Sequence, residues 1–92
     1  MTGHVFHPGH DEWHGQTVVV STSDGRTVIG RWDSIAAGQV KMMDVAVHPA
    51  DDIDEARPEW VAKLKKFGIP VIHRTFGVPE ATVESVVRLR DA

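Results

Sequence analysis

A chain of 92 residues, 41% of them hydrophobic and none of them cysteine, has room for one domain and excludes disulfides, thiolate nucleophiles and cysteine-ligated zinc. Its formal net charge of −3 sets the overall field against a phosphate backbone unless basic residues gather on one face. No apolar run approaches the ~20 residues that span a bilayer, and the N-terminus lacks the basic and apolar stretches of a leader, so no membrane contact and a cytoplasmic location are expected.

Residues 1–15 mix His, Gly and acidic side chains without a period and read as a loop-like arm, with a helical turn around Asp11 to His14, ahead of one domain over residues 16–92. Thr17 to Thr22 is β-branched, Ser23-Asp24-Gly25-Arg26 is a turn, and Thr27 to Trp32 resumes strand character, which is a hairpin signature. Gly25 supplies the positive φ that such a turn needs. After a connector from Asp33 to Gly38, the alternation of Gln39 to His48 predicts a third strand that stops at Pro49.

The acidic run Asp51-Asp52-Ile53-Asp54-Glu55 then leads into a predicted helix over residues 58–67. Acidic residues suit its N-terminus, lysines suit its C-terminus, and Gly68 followed by Pro70 stops it. Trp60, Val61, Leu64 and Phe67 recur at helical steps and form its expected apolar face. Ile69 to Phe76 reads as a strand interrupted near its start by Pro70. Thr82 to Arg90 fits either a helix face or a strand, and its β-branched content favours the strand.

Three meandering strands, an inserted helix and two further strands resemble the Sm-like small β-barrel family over roughly residues 16–90. Asp24-Gly25-Arg26-Thr27-Val28-Ile29-Gly30 is similar to the family's first motif, where a turn glycine and a second glycine five residues later flank a strongly bent strand. Val78-Pro79-Glu80-Ala81-Thr82-Val83-Glu84-Ser85-Val86 is similar to the second, with Val83 and Val86 at its apolar positions. The resemblance implies a mainly β fold, a small five-stranded Sm-like or SH3-like antiparallel barrel with one α-helix inserted between strands 3 and 4. It also implies joining of edge strands into a homo-oligomeric ring. RNA-binding members resemble one another in an Asp and Asn after the second strand and an Arg-Gly in the second motif. This chain contains no Asn, and Pro79-Glu80 stands where Arg-Gly would be, so the uracil pocket is not expected.

Among chemistry-bearing residues, His4, His7, His10 and His14, with Asp11 and Glu12 between, are the candidate ligands for zinc or another transition metal. Their spacing matches no specific zinc motif, and solvated or capping histidines are the simpler reading. Asp51, Asp52, Asp54 and Glu55 lack calcium-loop spacing and are expected to cap the helix. His48 and His73 lie in or at the ends of strands without a hydroxyl or carboxylate at relay spacing, so no enzymatic activity and no obligatory cofactor are expected. Trp13, Trp32 and Trp60 are expected in the core, the helix burying the last two and Trp13 closing an open end. Lys63, Lys65, Lys66, Arg88 and Arg90 are the candidate nucleic-acid residues, with a solvated helix end as the simpler account of the lysines. The leading expectation is a non-enzymatic module for self-assembly or protein-partner binding. RNA binding on a ring surface and metal binding by the arm are the alternatives.

Overall fold

A computed structural model describes residues 13–51 and 54–92. Its elements are β1 (Thr17–Thr22), β2 (Thr27–Ala36), β3 (Gln39–His48), α1 (Arg57–Phe67), β4 (His73–Pro79) and β5 (Val83–Arg88), with single 3-10 turns at Glu80–Thr82 and Leu89–Asp91. The strands form one antiparallel sheet in the order β4-β3-β2-β1-β5. The mainly β class and the helix between strands 3 and 4 are as the sequence predicts. Within Thr82 to Arg90 the strand is Val83–Arg88, with Thr82 and Leu89 to Arg90 in the flanking 3-10 turns, because Val18 to Thr22 of β1 pair with Arg88 to Val83. β4 and β5 are the two edges, and among the described residues no ladder joins them.

The sheet curls because its ladders are interrupted. Between the pairs Ile29↔Ala46 and Arg31↔Met43, β3 carries one residue more than β2, and between Trp32↔Met42 and Ser34↔Lys41 it is β2 that carries the extra residue, Asp33. An extra residue bends a strand and raises its twist. At the first interruption Asp44 has φ 54°, a left-handed conformation that its short polar side chain tolerates. Opposite lies Gly30, where an added Cβ would stand 2.6 Å from Val45 Cγ2 and 3.0 Å from the Met43 carbonyl oxygen.

Each interruption also switches which residues point inward. Val40 and Met42 enter the inner core before Asp44, and Val45 and Val47 enter it afterwards. On β2 the inward set passes from Val28 and Trp32 to Ile35 across Asp33. A third register shift, between β1 and β5, passes Val83 to Val86 in the same way. The inner core therefore gathers Val18, Val20, Val28, Trp32, Val40, Met42, Val45, Val78 and Val86 from all five strands, with Trp13 packed against it.

The outer face of the sheet is covered by α1. Trp60 and Leu64 bury against Val19, Ile29 and Ala46, with Val61, Ile69, Val87 and Leu89 around them. Burying Leu64 alone stabilises the contact by roughly 1.5–3 kcal/mol. Pro58 lies in the first turn with Glu59, Lys65 and Lys66 lie in the last, and Gly68 at φ 97° closes the helix by donating its N–H to the Leu64 carbonyl.

Several expectations are corrected. Phe67 does not join the helix's apolar face and is 75% exposed, because Ile69, beyond the terminating glycine, takes the place over the sheet. Trp32 is buried by the curled sheet, whereas Trp60, on α1 itself, is buried between the helix and the sheet. The acidic run does not cap α1 through a side chain, since the capping residue is Ala56; Asp52 and Ile53 lie outside the described residues. β2 continues through the expected connector to Ala36, and the turn to β3 is Ala37-Gly38, both at positive φ. β4 begins at His73 rather than Ile69, because Pro70 has no N–H to give a ladder.

The Gly30 contact involves backbone and a packed valine, so Gly30→Ala is expected to lower the unfolding free energy by about 1–3 kcal/mol in chemical denaturation. Gly77→Ala is the control with little loss, since its Cβ would meet only the flexible end of Gln39 on the surface. In the β1–β2 turn, the Thr22 hydroxyl and then Arg26 hold the Asp24 carboxyl below its ordinary 3.8. A depressed carboxylate stabilises the fold above its unfolded pKa and loses that contribution as pH falls through the folded value. Asp24→Asn is therefore expected to flatten the acid limb of the stability profile below pH 3.8, measured by denaturant midpoint against pH.

Candidate interaction surfaces

His14 sits in the turn that leads into β1. Its ring faces the Asp33 carbonyl oxygen with Nδ1 at 2.5 Å. A carbonyl oxygen only accepts, so Nδ1 is the donor in this contact and Nε2 is the ring nitrogen left outside it. The carbonyl belongs to the extra residue of β2, so the second bulge is what places the histidine. His4, His7 and His10 lie outside the described residues. Among the described residues no group of three His, Asp or Glu is placed to hold a metal ion.

His48 ends β3 and is 5% exposed. Its Nε2 donates to the Glu55 carbonyl at 2.7 Å, and its ring lies 5.2 Å from that of Trp60. The histidine thus ties the acidic connection to the sheet just ahead of α1. His73 opens β4, exposed, with its ring 5.0 Å from Phe76.

The five candidate basic residues do not form a single surface. Lys63 turns back to Glu55, Nζ to Oε1 at 2.8 Å. Lys66 stands 5.2 Å from the Phe67 ring centre. Lys65, Arg88 and Arg90 are brought together along one flank of the contact between α1 and the sheet, where a groove of about 650 Å³ opens. Lys65 Nζ donates to the Ala92 carbonyl at 2.9 Å. Arg88 donates to Gln16 Oε1 at 2.7 Å, lies 5.5 Å from the Trp13 ring centre and 3.9 Å from Asp91. Arg57 joins Lys65 and Lys66 along the other flank. Arg57 escaped the sequence reading because nothing in the linear order ties the start of α1 to β5.

The rims of the sheet are the other exposed feature. Among the described residues β4 pairs only with β3 and β5 only with β1. Val71 and Ile72, 50% and 67% exposed, directly precede β4.

The fold so defined is a small, curled, five-stranded antiparallel sheet with one helix on its outer face. No family model matches the chain, and no curated protein matches it. Among solved structures it is similar to a chain in the crystal structure of the NatC complex bound to CoA, with a TM-score of 0.53 and 16% identity, covering 83% of this chain and 78% of that one. At that identity the likeness is one of fold. No helix among the described residues is long and apolar enough to cross a membrane.

Proposed function

We propose that this chain is a non-enzymatic Sm-like module that assembles with further copies of itself through the outer rims of β4 and β5. The observation that carries the reading is that, among the described residues, each edge strand is paired on one side only. An edge of this kind presents a row of backbone donors and acceptors to another strand, and natural edges are blunted where such pairing is to be avoided. Here Val71 and Ile72 leave apolar side chains beside β4. A β4 rim meeting a β5 rim is a head-to-tail contact, which repeats until a ring closes. Curling supports the barrel reading as well, since Val78 of β4 and Val86 of β5 share one core cluster. The similarity to a chain taken from a multi-subunit complex is in keeping with a role in assembly.

Light scattering after size exclusion at micromolar concentrations is expected to give a mass above that of a dimer. Replacing Val71 and Ile72 by Lys is expected to shift it toward monomer with unchanged circular dichroism. A monomeric mass for the unaltered protein at every concentration up to about 100 µM would overturn the reading.

A second reading, zinc binding by the N-terminal arm, is favoured by the His14 ring. Metal-ligating imidazoles usually donate their other N–H to a carbonyl or carboxylate, which fixes the tautomer. Tag-free protein dialysed against zinc is expected to retain about one equivalent, and His14→Ala markedly less. Retention no greater than in a metal-free control protein excludes this reading.

A further inference from the structure

The chain carries ten Lys and Arg against thirteen Asp and Glu. Five of those ten, Arg57, Lys65, Lys66, Arg88 and Arg90, line the two grooves that flank the contact between α1 and the sheet. Among the described residues neither groove has an Asp or Glu in its wall, and the second includes Ala92, whose main-chain oxygen accepts from Lys65 Nζ at 2.9 Å. Lys65 belongs to both, so the two grooves meet along its side chain. Among the described residues Arg57, Lys66 and Arg90 face no carboxylate within ion-pair distance, and Arg88 has only Asp91 at 3.9 Å. A protein of net negative charge that concentrates half of its positive charge on one seam creates a local field opposite to its overall one.

The floor of the seam is aliphatic. Leu64, Ile69 and Leu89 lie under one flank, and Val19, Val61 and Val87 under the other. Volumes of about 650 and 590 Å³ fall within the range of sites that take small ligands or side-chain clusters. Among the described residues no aromatic ring stands in either wall. Single-stranded nucleic acid is held largely by stacking on aromatic faces, so the phosphate-binding charge is present here without the platform that bases use.

We propose that this seam docks a peptide segment of a partner protein in which Asp or Glu alternates with aliphatic side chains. The carboxylates would meet Arg57, Lys65 and Arg90, and the aliphatic groups would enter between α1 and β5. The surface is the outer face of β1 and β5, not their rims. It therefore stands apart from the assembly reading, and either can fail without the other.

The test titrates the full chain with a short synthetic peptide of Asp and Glu interspersed with Leu, followed by fluorescence anisotropy and by amide shifts. Polyglutamate and oligouridine serve as comparison probes. Micromolar binding is expected, with shifts confined to the seam and affinity falling about tenfold or more in Lys65→Glu and Arg90→Glu. Lys41→Glu, an equal change of charge at the far end of β3, is expected to alter it about twofold or less. Oligomer mass is recorded for each variant and is expected to stay unchanged. Absence of binding at millimolar peptide overturns the proposal. So does equal binding of polyglutamate, equal or tighter binding of oligouridine, shifts elsewhere on the sheet, or salt-sensitive self-association that the charge reversals abolish.

Discussion

The approach of the Gly30 backbone to Val45 is the contact from which the rest of the architecture follows. One cluster draws Val78 of β4 and Val86 of β5 together with side chains of the three strands between them. The middle strands that carry it, β2 and β3, bend where Gly30 has no Cβ and Asp44 takes a left-handed conformation. A side chain at position 30 would press on Val45 and the Met43 carbonyl, opening the curl at its tightest point. Because cross-strand partners point to the same face, Gly30 shares the inward side with its β1 neighbour Val18. The space it vacates is the space Val45 fills.

Curling the sheet creates a second requirement. Strands with one buried face alternate, but Val18-Val19-Val20 is apolar throughout, which is the signature of a strand covered on both sides. Val18 and Val20 face the inner core, and Val19 faces outward with Ile29 and Ala46. That outward patch is what α1 covers. The helix is thus the lid of a second core, and its position over β1 and β5 is set by the outward side chains of those strands. His48 reinforces the placement by holding the Glu55 carbonyl while its ring lies against Trp60.

These two requirements explain what could be read from the linear chain. The Asp24-Gly25 turn, the ends of β3 and the stop at Gly68 are local events, written in neighbouring residues and visible at once. For Thr82 to Arg90 the β-branched content only tips the balance toward a strand, because the deciding interaction, pairing with β1, joins residues more than sixty positions apart. Phe67 fits the helical period as well as Leu64 does, yet only Leu64 meets the sheet, since Ile69 beyond the terminating glycine takes the next place over it. Strict alternation would turn Val45 and Val47 outward. The bulge at Asp44 reverses them, and Asp44 carries no sequence mark that separates it from an ordinary strand residue. The grouping of Arg57 with Arg88 and Arg90 was hidden for a related reason, as it exists only once α1 is laid beside β5.

The arrangement also separates two kinds of surface that a flat sheet would merge. In a two-layer sheet–helix sandwich the helix commonly overhangs an edge and shields it, so that pairing at the rim and binding at the helix compete. Here the helix rests on β1, β2 and β3 residues, with β5 contributing Val87 and the following Leu89. Backbone groups at the rims recognise any strand, by geometry alone. The seam proposed above would offer the opposite kind of recognition, charge and shape without backbone pairing. Under the two proposals self-association and a partner segment would use different parts of one small sheet, its rims and its outer face, because the helix covers the outward patch of Val19, Ile29 and Ala46 and not the ladder groups of the edges.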